Sequence, residues 1–208
     1  MSDSKYYLIG AGGHAKVVWE AMNSTKNVIS GCFADDYESS TFHKSLPHLG
    51  KNIQNFIDEK SFFNIAIGNN KVRKKIANMY NCNYYNAIHK QSIISKSSII
   101  GLGNSILARA VINPFSEIGN HCIINTAAVI EHDNYISDYV HISPNVTLCG
   151  NVRVGEGTHI GAGAVIIPNI NIGKWCVIGA GAVIIRNIPD NAVVVGNPGR
   201  IIKIINNE

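Results

Sequence analysis

From Ile94 onward, every sixth residue is aliphatic, sixteen times in succession, ending at Ile184. Fourteen of the sixteen are Ile, and the other two are Leu148 and Val154. A period of six fits neither an α-helix nor a lone amphipathic strand, so this is a repeat. It fits a coil of three short, flat strands with one large residue turned inward per hexad. Three hexads, about 18 residues, then make a turn. Residues 94–189 make about five turns stacked roughly 4.8 Å apart. Four residues after most of the aliphatic positions the side chain is small or β-branched, as at Ser98, Ala110, Cys122, Ala128, Thr158, Ala164, Cys176 and Ala182. Glycine often follows the aliphatic residue directly, as at 101, 119, 155, 161, 173 and 179. Each buried Ile contributes about 1.5–3 kcal/mol, so the repeat alone supplies a core. Pro189, Pro198 and Gly199 end the pattern, and Ile201–Ile205 reads as a closing element.

The first 90 residues alternate strand and helix instead. Lys5–Ile9 is a short apolar run ending in glycine. His14–Met22 carries Val17, Val18, Ala21 and Met22 at helical spacing. Val28–Phe33 and Phe62–Ile67 read as strands, and Val72, Ile76 and Met79 mark a second helix with Arg73, Lys74 and Lys75 on its wet side. Such an order implies a small parallel sheet with crossover helices. Twelve of the sixteen aromatics lie in this half and thirteen of the nineteen glycines in the other, so two domains are expected, 1–90 and 91–208. The fold class is an α/β Rossmann-like βαβαβ domain followed by an all-β parallel β-helix.

Hydrophobic residues make up 46% of the chain and charged ones 15%, which excludes wholesale disorder. A net charge of +4 suits anionic small ligands, and no Lys/Arg block is long enough for a nucleic-acid arm. No apolar run reaches the roughly 18 residues of a membrane span, and MSDSKYYLIG lacks a signal peptide's apolar stretch. A cytoplasmic protein is expected. Five cysteines without CxxC pairing argue against a disulfide framework and against a zinc site.

The coil arithmetic puts residues 18 apart above one another. One outward column is Lys96, Pro114, His132, Gly150 and Pro168, which sets His132 against a residue with no Cβ and a free backbone N–H. A base beside an amide donor is what acyl transfer needs. Alone, His132 reads better as a surface histidine, and the Glu131-His132-Asp133 cluster with the overlying glycine brings the two readings level. A second outward column is Ser105, Ile123, His141, His159 and Val177, in which His159 reads as a surface residue. Cys122 and Cys176 fall on inward positions and read as core. At the front, Gly10-Ala11-Gly12-Gly13-His14-Ala15 joins strand to helix and fits a phosphate-binding turn, or merely a tight one. About 90 residues is half a dinucleotide-binding fold, so a nucleotide-sugar fits better than a nicotinamide cofactor. Asp35 and Asp36 end the second strand, where a ribose or base would sit.

These segments resemble a known family. YLIGAGGHAKVV, IAIGNNKVRKKI, NTAAVIEHDNYI, YVHISPNVTLCGNV and VVVGNPGRIIK are similar to left-handed β-helix sugar N- and O-acetyltransferases that carry a small nucleotide-binding domain. The bacillosamine-pathway UDP-4-amino-sugar N-acetyltransferases are the nearest in pattern. The resemblance implies a homotrimer with active sites between neighbouring prisms, acetyl-CoA as co-substrate and no metal. It implies His132 as general base, with Asp133, where the relatives carry Glu, orienting the imidazole. His141 and Gly150 would lie near the thioester. Gly12, Gly13 and His14 would meet the diphosphate, Asp35 and Asp36 the uridine end, and Asn69 the same cleft. Ala162, Ile167, Pro198 and Arg200 would follow the pantetheine and adenosine of CoA. The alternatives are O-acetylation of sialic acid, N-acetylation of a GDP- or dTDP-linked amino-sugar, and a non-catalytic trimeric nucleotide-sugar scaffold.

Overall fold

A computed structural model describes residues 4–25, 28–34 and 46–205. The front part runs β1 (Lys5–Ile9), α1 (Gly13–Ser24), β2 (Ile29–Phe33), β3 (Ser61–Ile65), α2 (Asn70–Met79) and β4 (Asn83–Tyr84). Its four strands are parallel in the order β2-β1-β3-β4. Two crossover helices were expected and two form. Among the described residues the link from β2 to β3 adds only a 3₁₀ turn, Gln54–Phe56. Aromatics fill one side of the sheet. Tyr7 stacks on Phe63 with ring centres 5.3 Å apart, and Phe33 meets Phe56 edge-on at 5.0 Å.

The repeat folds as the period demands. Two-residue strands coil into a three-faced prism with sheets of five, six and eight strands. Face 1 carries strands starting at Ala87, Ser105, Ile123, His141, His159 and Val177. Face 2 starts at Ile93, Val111, Val129, Thr147, Val165 and Val183. Face 3 starts at Ile99, Glu117, Tyr135, Arg153 and Asn171. The inward aliphatics from Ile106 to Ile184 are buried in one continuous core, together with Cys122 and Cys176. The coil is longer than five turns. It begins with Ala87–Ile88, paired to Ser105–Ile106, and continues to Ala192–Val195 before the antiparallel strand Arg200–Ile204 closes it.

Corners are made by backbone rather than by side chains. Every sixth residue from Gly103 to Gly181 has φ between 54° and 72°. Ten of these fourteen are not glycine, and a left-handed L-residue costs about 1–2 kcal/mol. A rung-to-rung bond at the corner offsets that cost, as where Tyr139 N–H donates to Asn120 O at 2.8 Å. The glycines evident in the sequence serve a different need. A Cβ on Gly155 would lie 2.6 Å from the Gly173 backbone, so the rungs approach closely there.

The phase of α2 differs from the sequence expectation. Arg73 is buried at 1% exposure, while Val72 and Met79 are 41% and 56% exposed. The apolar side of α2 borders a cavity in the front part, and its polar side docks on the prism. The prism's edge between faces 3 and 1 explains this inversion. Its corner bonds use the carbonyl before each corner residue, leaving the corner's own carbonyl spare. Four such carbonyls, on Gly103, His121, Tyr139 and Gly157, climb the edge one rung at a time. Asn64 Nδ2 donates to Gly103 O, Arg73 Nε and Nη2 to His121 O and Tyr139 O, and Asn70 Nδ2 to Gly157 O. A polar comb therefore satisfies a polar edge, as buried carbonyls require.

Candidate active site

His132 lies on the edge between faces 2 and 3, just past the strand Val129–Ile130. Its ring packs against Gly150 of the next rung. A Cβ there would meet His132 Cε1 at 2.6 Å and Nε2 at 2.7 Å, so any side chain at 150 would displace the imidazole. His132 Nδ1 is 2.7 Å from Asp133 Oδ2. An ionised carboxylate only accepts, so in the neutral imidazole Nδ1 carries the proton and Nε2 the lone pair. Asp133 reaches back because it occupies the left-handed corner, φ 59°. Both side chains are more than half exposed. Among the described residues, no acceptor takes the Gly150 N–H. A base with a fixed tautomer and a spare amide donor thus share one open edge. Ile167 lies on the same edge beside Pro168, whereas Ala162 is on the edge between faces 1 and 2. Pro198 and Arg200 are exposed on the closing turn and strand.

The glycine turn occupies the ends of the front sheet. Gly10, φ 119°, approaches Ala66 O so closely that a Cβ would lie 2.8 Å away. Gly12 and Gly13 face open space and start α1. They line a cavity of about 670 Å³ with His14, Lys51, Lys75 and the ends of β1, β2 and β3. This is the crevice where strand order reverses between β1 and β3, and the first helix points its N-terminus at it. Burial, aided by the Arg73 charge, pushes the His14 pKa down to about 4. Asp35 and Asp36 lie outside the described residues. Asn69 caps α2, accepting from Val72 N–H at 3.1 Å, and borders a smaller hollow of about 220 Å³ with His159 and Trp175.

His141 and His159 are not on a free edge. The front part covers face 1, and the two rings stack with centres 4.7 Å apart. His14 approaches His141 to 6.3 Å. Thr126 N–H donates to Asn125 Oδ1, so the Asn125 amide nitrogen faces His141 Nε2 at 3.1 Å. Burial first, then His159, Arg73 and His14, hold the His141 pKa down at about 3. Ser143 Oγ lies 2.8 Å from His159 Nε2. His159 is therefore a packed, bonded residue, not the surface histidine its column suggested. The structure unites Gly12, Gly13, His14 and His141 on one side of the prism. It sets His132, Asp133, Gly150 and Ile167 on the edge opposite.

Comparison with known proteins finds matches in both parts of the chain. Residues 5–80 match the PglD N-terminal domain and residues 151–186 match the bacterial transferase hexapeptide repeats. The repeat is thus of the bacterial transferase hexapeptide class. UDP-N-acetylbacillosamine N-acetyltransferase of Bacillus subtilis is 44% identical over 110 residues, 49% of this chain and 50% of that protein. The chain spans half or less of the curated relatives it matches. Solved structures match along almost the whole chain. A histidine-to-asparagine variant of perosamine N-acetyltransferase from Caulobacter crescentus, bound to CoA and GDP-perosamine, is 32% identical with a TM-score of 0.89, covering 96% of this chain and 97% of that one. The acetyltransferase domain of PglB from Neisseria gonorrhoeae, bound to acetyl coenzyme A, is 34% identical with a TM-score of 0.88, covering 95% and 98%. The chain belongs to this family of amino-sugar N-acetyltransferases, built from a PglD-type front domain and a β-helix.

Proposed function

We propose that the protein transfers the acetyl group of acetyl-CoA to the 4-amino group of a nucleotide-linked amino-sugar, UDP-linked by its likeness to the Bacillus relative. The contact of the His132 ring with Gly150, with Asp133 on the far nitrogen, carries this reading. The free amine attacks the thioester carbonyl and forms the new C–N bond. His132 Nε2 accepts the proton that the amine loses. The Gly150 N–H donates to the oxyanion. Collapse breaks the C–S bond, and the proton on His132 passes to the departing thiolate. Holding both substrates in line is worth up to about 7–11 kcal/mol of barrier.

His132 and the glycine turn of one chain face opposite ways. A site that needs both is completed between copies, which supports the homotrimer. Ile167 would flank the pantetheine beside Gly150, with Ala162, Pro198 and Arg200 along the rest of CoA. Gly12, Gly13 and His14 would hold the diphosphate, Asp35 and Asp36 the nucleoside. The reading is of a cytoplasmic enzyme, and among the described residues no helix is long and apolar enough to cross a membrane. A GDP-linked acceptor is the second reading, favoured by the perosamine enzyme that matches along its whole length. Incubation with acetyl-CoA and a panel of UDP-, GDP- and dTDP-linked amino-sugars, followed by mass spectrometry, tests both. A gain of one acetyl group on one member is expected, and no gain on any would refute the function.

A further inference from the structure

Arg73 takes no part in the chemistry above, yet it is the largest fully buried side chain of the described residues. All five of its N–H donors are used. Nε donates to His121 O at 2.7 Å and Nη2 to Tyr139 O at 2.9 Å, on two successive rungs of the prism. Nη1 donates to Ile67 O at 2.9 Å and Gly68 O at 3.3 Å, in the wall of the 670 Å³ cavity. The remaining donor goes to Asn70 Oδ1 at 2.9 Å. No carboxylate is paired with it among the described residues. A buried cation without a counter-ion is a poor way to add stability. A guanidinium with its fork filled by carbonyls from separate segments is, by contrast, a rigid fixing of position.

We infer that Arg73 is a positioning residue for the proposed transfer, fixing the Ile67–Gly68 wall of the nucleotide cavity to the prism rungs at His121 and Tyr139. The inference rests on the function proposed above. A sugar anchored in the front part of one chain must meet a thioester held on the edge of its neighbour, so the joint, together with the packing of the prisms, sets the distance between them. Neighbouring contacts hold its register. Tyr84 meets the His121 ring edge-on at 4.5 Å, and His121 stacks on Tyr139 at 5.4 Å. Asn70 extends the fixing one rung further, to Gly157 O at 2.9 Å.

Arg73→Lys keeps the charge but cannot fill five acceptors in a plane. With both substrates saturating, its kcat should fall at least about tenfold, because a misplacement of about 1 Å is costly in a two-substrate transfer. CoA and free UDP or GDP, titrated by calorimetry, should bind within about threefold of wild type. Asn70→Ala should show the same split more weakly, and it serves if the lysine variant does not fold. In Arg73→Ala, millimolar guanidinium should restore part of kcat, which a general loss of stability would not allow. Lys74→Ala, which breaks a partly exposed ion pair with Glu156 across the same joint, should stay within about twofold. Undiminished kcat in folded Arg73→Lys would overturn the inference, as would CoA affinity falling in step with kcat. An absence of transfer by wild type would instead overturn the proposed function.

Discussion

Two histidines of the prism each pack against a glycine on an adjacent rung, with opposite consequences. A Cβ on Gly103 would strike the His121 ring, and one on Gly150 would strike His132. His121 lies on the edge that the front part covers. Burial, with help from Arg73, drives its pKa down to about 4, and its backbone carbonyl serves as an acceptor. His132 lies on the open edge, where a carboxylate fixes its tautomer and more than half of its side chain is exposed. The repeat supplies the same contact twice. Covering one edge makes it structure, and leaving the other bare makes it available for chemistry.

Several substitutions would break or sharpen this contrast. His132→Ala should lower kcat at least about 100-fold with CoA affinity retained, as removal of a general base does. His121→Ala should lower stability by about 2–4 kcal/mol through a buried cavity, measured by urea denaturation, and lower kcat far less than His132→Ala does. Gly150→Ala should lower kcat about tenfold or more by displacing the ring, and a crystal structure of the variant would show the imidazole moved. Asp133→Asn should cost less than His132→Ala in kcat, because Nε2 survives while its tautomer loosens; equal losses would make Asp133 more than an orienting group.

Burial also makes the covered histidines sensitive to acid. His14, His121 and His141 have folded pKa values of about 4, 4 and 3 against an ordinary 6.5. Between pH 6.5 and 4 the unfolded chain binds more protons, so stability falls as pH falls through that window. Each such histidine contributes up to about 1.4 kcal/mol per pH unit. Urea midpoints at pH 7 and pH 5 measure the loss, and His121→Gln should reduce it. The smallest effect belongs to Arg109, a left-handed corner at φ 62° that is exposed. Arg109→Gly should raise stability by up to about 1 kcal/mol in the same assay.

The prism was legible because its instructions are local. A hexad period places each inward aliphatic, and the 18-residue column that put His132 on Gly150 follows from counting. The joint was not legible. Arg73 stands next to Lys74 and Lys75, so its own neighbourhood assigns it to solvent, and what buries it is a pair of carbonyls 48 and 66 residues away. Main-chain acceptors leave no mark in a side-chain pattern. His141 and His159 were assigned to an open face for the same reason, since a column gives direction but not what covers it. One available signal was Asn and Asp at 133, 145, 151, 169 and 191, which mark left-handed corners alongside Gly103, Gly157, Gly163 and Gly181.

The central claim is that one chain's His132 serves another chain's nucleotide cavity. Co-expression of His132→Ala with His14→Ala tests it, assayed at low nucleotide-sugar concentration where each variant alone is poorly active. Random mixing in a closed ring leaves about a quarter of the sites with both groups intact. Activity near a quarter of wild type is the expected result. Activity no higher than the mean of the two separate variants would contradict the shared site.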